Sequence, residues 1–109
     1  MGRSRHDTDE LLMNIFDQHT PQTGETFTTL LSHKNITIQH IVSSDTIENK
    51  TYVQAEDEWV ILLEGEATLL IEAEEKKLIK GEMLFIPAHT SHRILETQKG
   101  TLWLAVHIH

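Results

Sequence analysis

From Ile36 onward the apolar residues fall in short runs separated by turn formers. Ile36 to Val42 is rich in β-branched residues, and Thr51 to Gln54 is a short second run. Trp59 to Leu63 is apolar at every position, breaks at Glu64-Gly65-Glu66, and Ala67 to Ile71 resumes the pattern. Ala73 to Glu75 reads as a charged turn, Lys77 to Ile79 as a short strand, and Met83 to Ile86 as another closed by Pro87, which cannot donate to a ladder. His92 to Thr97 and Thr101 to Ile108 read as a last hairpin across Lys99-Gly100. Roughly eight short strands at hairpin spacing predict an all-β sandwich or barrel. No helix-length segment separates them, so a parallel α/β sheet is not expected.

The first 35 residues are less regular. Asp7 and Glu10 have capping-box spacing, and Leu11, Leu12, Ile15 and Phe16 share one helical face. Residues 1–35 are therefore expected to be a short helix or irregular segment on the outside of a barrel core at residues 36–109, the whole forming one domain.

Composition narrows the function. The 109 residues carry a net charge of −8, which argues against a nucleic-acid partner and against docking on an anionic membrane. No apolar run is long enough to span a bilayer, and the N-terminus does not read as an export signal, so a cytoplasmic location is expected. The absence of cysteine removes disulfides and thiolate ligands. The acids cluster at Glu56-Asp57-Glu58 and at Glu72, Glu74 and Glu75, mostly as solvated surface. No phosphate-binding loop, dinucleotide turn or nucleophile elbow occurs, so no organic cofactor is indicated and no catalytic residue can be named.

Two spacings are more specific. Glu58 precedes Gly65 by six intervening residues, within EWVILLEGEA. Gly81 precedes Pro87 by five, and His92 follows in GEMLFIPAHTSH. In order and spacing these resemble the two motifs of the cupins, over Ile36 to His107. The chain departs from them at several places. Tyr52 and Gln54 stand where the first motif has His-x-His, His89 stands for the second motif's Gly, and Glu96 for its Asn. With IPAH, His-Arg and the closing WLAVH, the chain is similar to a subgroup of small single-domain bacterial cupins.

The resemblance implies a double-stranded β-helix, or jelly roll, with Gly65 and Gly81 in hairpin turns. Tyr52, Gln54, Glu58 and His92 would point into the barrel and Trp59 outward. It implies a small-molecule protein, either a divalent-metal enzyme of isomerase or dioxygenase type or a metal-free module that binds or senses a ligand. Glu58, His92 and Gln54 are the metal candidates, with Tyr52, His89, His40 and His107 as further ones. Imidazole and carboxylate suit Zn, Mn, Fe or Ni. Trp59, Trp103 and their apolar neighbours exceed what one short barrel face should expose, which predicts a homodimer.

Overall fold

The computed structural model describes residues 14–109, so the predicted helix at the N-terminus lies largely outside the described residues. Eight strands form two antiparallel sheets. They are β1 (Glu25–His33), β2 (Ile36–Ser43), β3 (Asp57–Glu64), β4 (Glu66–Ile71), β5 (Glu74–Ile79), β6 (Met83–Ile86), β7 (His92–Thr97) and β8 (Thr101–Ile108). The larger sheet runs β1-β2-β8-β3-β6 and the smaller β5-β4-β7. There is no helix among the described residues, and hence none long and apolar enough to cross a membrane.

Side chains alternate between the two faces of a strand, and the register shows which side is inside. On β3, Glu58, Val60 and Leu62 pair with His107, Ala105 and Trp103 of β8. All six face the smaller sheet, where Ala67, Leu69 and Leu78 complete the core. Leu62 and Ala105 are fully buried, and Trp103 is 3% exposed. Its indole Nε1–H donates to Ser43 Oγ at 3.0 Å. Trp103 is thus a core residue, and the expectation that it helps to form an exposed dimer face does not hold.

Three local readings also differ. Glu25–His33 is the edge strand of the larger sheet, inside the segment expected to be irregular. A register shift between Thr29 and Leu31 turns Leu31 to the opposite face from Phe27, which hides the period of two. Thr51 to Gln54 is no strand; only Tyr52 bridges to His92. Gly65 and Gly81 are not in hairpins but at corners where the chain changes sheet, and β7 and β8 likewise lie in different sheets. Both glycines have φ near +90°, and a side chain at Gly65 would meet the Thr101 backbone at 2.9 Å.

The outer face of the larger sheet carries an apolar row across all five strands. In register these are Leu31, Ile38, Val106, Trp59 and Phe85. Leu31 and Phe85 are each 49% exposed, and Trp59 points outward as expected.

Candidate functional site

A cavity of about 90 Å³ lies between the sheets. A water needs roughly 10–15 Å³ of such space, so there is room for several waters or a small molecule. Its floor is apolar, with Ile41, Val60, Leu69 and Trp103 among the lining residues. Glu58, His92 and His107 gather on one side of it, where β3, β7 and β8 meet, and Glu25 and Gln39 line it from β1 and β2.

Glu58 is the centre of that group. β3 carries it inward, and β8 sets His107 directly opposite in register. His92 reaches it from the smaller sheet. Glu58 Oε1 lies 3.8 Å from His92 Nε2, and Oε2 lies 3.8 Å from His107 Nε2. Burial pushes the Glu58 carboxyl above the usual carboxylate range. His107 opposes that shift, while Glu56 and Glu25 add to it.

His92 is held from two directions. Its backbone exchanges hydrogen bonds with Tyr52, at 2.8 and 3.0 Å. The Tyr52 ring stacks on the imidazole with centroids 5.8 Å apart. His92 Nδ1 lies 3.0 Å from the Thr90 carbonyl. A carbonyl only accepts, so Nδ1 carries the proton. In the neutral ring Nε2 then presents a bare lone pair to Glu58. Two acceptors face each other across 3.8 Å, and a proton, a cation or a water that donates to both satisfies them.

Gln54 also lines the cavity, and its Oε1 is buried without a hydrogen-bond partner. His107 Nδ1 is likewise unpartnered, although Glu56 Oε2 lies 3.4 Å away. Burial together with the charges of Glu25 and Glu48 raises the Tyr52 phenol, which keeps it neutral and suits a supporting role rather than ligation. Tyr52, Gln54, Glu58, His92 and His107 are therefore brought together.

His89 and His40 are not. His89 is exposed in the loop after Pro87, with φ of 64° and its N–H donating to the Gln54 carbonyl. The left-handed backbone at this position accounts for the Gly of the second motif, and here His89 adopts it. His40 lies on the outer face of β2, one position out of phase with the cavity-lining Gln39 and Ile41. Its Nε2 lies 2.8 Å from the Ile15 carbonyl.

Two acids were not legible as site residues. Glu56 belongs to a cluster that reads as surface charge. Glu25 sits on the unforeseen β1, and alternation with Phe27 turns both inward. Ser43 Oγ donates to Glu25 Oε2. Burial nonetheless raises the Glu25 carboxyl, and the Ser43 bond only partly offsets it. A carboxyl that holds its proton more tightly in the fold than in the unfolded chain favours folding below its unfolded value, and that advantage is lost as pH rises through the folded value. Glu25→Gln should therefore raise the unfolding midpoint at pH 7.5, with the gain closing as pH falls towards 4.5. Thermal melts across that range check this.

The family profile described as cupin domain matches residues 41–107. The chain belongs to the cupin family. Among solved structures, this cupin is 32% identical to a Ralstonia eutropha JMP134 protein provisionally named a mannose-6-phosphate isomerase. That match covers 89% of this chain and 96% of the other, with a TM-score of 0.80. A conserved Streptococcus pyogenes protein of unknown function is 18% identical over 89% of this cupin and 85% of its own chain, with a TM-score of 0.77. KdgF from Halomonas sp. is 14% identical over 78% of each chain, with a TM-score of 0.72. These last two are like this cupin in fold alone. No curated protein matches the chain.

Cupins commonly hold metals, and the donors here suit one. A carboxylate, two imidazoles and an amide oxygen border one side of one cavity, and the Nδ1–H of His92 is engaged by a carbonyl, as metal-binding histidines usually require. The side chains do not yet converge: among the described residues no three His, Asp or Glu are placed to hold an ion.

Proposed function

We propose that this cupin is a small-metabolite enzyme of isomerase type that works with a divalent cation held by Glu58 and His92. Gln54 and His107 stand next to complete the set. The facing acceptors of Glu58 and His92, with the buried and unpartnered Gln54 Oε1 in the same cavity, carry this reading. The 32% identity to the provisionally named isomerase supports the reaction class.

When bound, such a cation would polarise a carbonyl or acidify a water. The protein's own residues do the rest. Thr90 and Tyr52 fix the imidazole of His92. Glu56 and Glu58 flank His107, so a proton can be held on either side of that ring. Thermal melts with added Zn, Mn, Fe or Ni test the proposal, since an ion that binds only the folded state raises the midpoint. A rise of several degrees with at least one ion is expected; no rise with any of them counts against it.

That no three such donors converge among the described residues supports a second reading, a metal-free module that binds its ligand directly. There a proton would be shared between Glu58 and its imidazole neighbours, and only organic ligands would raise the midpoint.

We further propose that two copies pair through the outer row of the larger sheet. Among the described residues nothing seals Leu31 or Phe85. Sedimentation at micromolar concentration should give a dimer, and Phe85→Glu with Leu31→Glu should give a monomer. A monomeric parent protein would contradict the pairing.

A further inference from the structure

His107 lies beyond both cupin motifs, on β8. The first motif's histidine pair is missing from this chain, with Tyr52 and Gln54 in its place. β8 nevertheless brings an imidazole to the same carboxylate, because its register sets His107 opposite Glu58. His107 is 7% exposed and lines the cavity. Its Nε2 lies 3.8 Å from Glu58 Oε2, just as His92 Nε2 lies 3.8 Å from Oε1. Each oxygen of Glu58 therefore faces one imidazole Nε2.

The two rings are alike in a second respect: the far nitrogen of each meets an oxygen. For His92 it is the Thr90 carbonyl, 3.0 Å from Nδ1. For His107 it is Glu56 Oε2, 3.4 Å from Nδ1. Glu56 stands two positions before Glu58, and both reach the same ring. Asp57 between them serves the loop after β6 instead, accepting the Ala88 N–H at 2.8 Å. Glu56 touches the imidazole but does not line the cavity, so its place is behind the ring. The 3.4 Å contact is longer than the usual ~2.9–3.0 Å, and among the described residues Nδ1 is buried without a hydrogen bond. The Glu56 side chain is 22% exposed, and a small turn of it closes the gap.

A histidine that ligates a metal almost always donates its other ring N–H to a carboxylate, a carbonyl or water, which fixes the tautomer and the direction of the ring. An ionised carboxylate only accepts, so Glu56 holds a proton on Nδ1 and leaves Nε2 to be shared with Glu58 or given to an ion. We infer that His107 supplies the nitrogen donor that the first motif lacks, and that Glu56 is its positioning residue, acting through Nδ1 without touching the ion. This rests on the reading that a cation is held at Glu58 and His92.

Proton–nitrogen correlation spectra of protein labelled at the histidine ring nitrogens, recorded without metal and with added zinc, separate this arrangement from a plain ion-pair cluster. The His107 signals are assigned by their loss in His107→Gln. Zinc should shift the Nε2 signals of His92 and His107 together and saturably, while His107 Nδ1 keeps its proton. In metal-free Glu56→Ala, Nδ1 should lose that proton and Nε2, beside Glu58, should carry one. Glu56→Ala should also lower zinc affinity by about 10–100-fold. Glu56→Gln should recover most of that loss, because its amide oxygen still accepts from Nδ1. The assignment is overturned, with the cation at Glu58 and His92 left standing, if zinc moves the His92 signals and leaves those of His107 still. Equal losses of affinity in Glu56→Ala and Glu56→Gln, or no loss in either, would overturn the role of Glu56 in the same way. If zinc moves neither ring the assignment fails, and the cation reading fails with it where no other ion raises the unfolding midpoint.

Discussion

Gly65→Ala should destabilise the fold by about 3 kcal/mol, lowering the thermal midpoint by on the order of 15 °C. Two effects add. The backbone at Gly65 has φ of +88°, where a β-carbon costs roughly 1–2 kcal/mol. That carbon would also lie 2.9 Å from the Thr101 Cα and 2.5 Å from its Oγ1. Thr101 cannot give way easily. It is fully buried, and its hydroxyl is 2.7 Å from the Gln98 carbonyl and 3.2 Å from that of Glu66. Gly81 supplies the control. Its φ is +89°, but a β-carbon there meets nothing within 4 Å. Gly81→Ala should therefore show the conformational cost alone, about 1 kcal/mol. Equal losses for the two variants in denaturant melts would mean that the close approach to Thr101 is not what position 65 requires.

The second large effect concerns the proposed cation. Glu58→Gln and His92→Ala should each lower divalent-metal affinity by at least about 100-fold, since even residues that only orient a ligand change it by about 10–100-fold. Glu58 supplies the charge, and His92 supplies a nitrogen whose lone pair is already aimed. Gln54→Ala should cost less, because an amide oxygen is a neutral donor. His89→Ala and His40→Ala should cost nothing, since one is exposed in a loop and the other lies on the outer face. Isothermal titration with the ion that most raises the parent midpoint measures all five. Metal affinity that survives in both Glu58→Gln and His92→Ala would move the site elsewhere.

The contrast between these residues shows what the chain made legible. Glu58 and His92 could be placed from motif spacing, and strand alternation then fixed the faces of Val60, Leu62 and Trp59. The all-β class followed from short runs between turn residues. The partners of each strand did not follow. Gly65 looks the same in sequence whether it closes a hairpin or turns a corner between sheets, because both demand the same backbone. Trp103 reads as exposed or buried with equal ease until register sets it opposite Leu62. β1 was hidden by its own bulge, and Glu25 with it. His107 and Glu56 needed long-range pairing, which brings one imidazole to the carboxylates of two residues about fifty positions away in the chain.

The cation itself is the most direct test. Protein purified without a metal-chelating column should contain close to one divalent ion per chain by elemental analysis, and Glu58→Gln should contain almost none. Parent protein free of divalent metal, and with an unfolding midpoint that no added ion moves, would contradict the account.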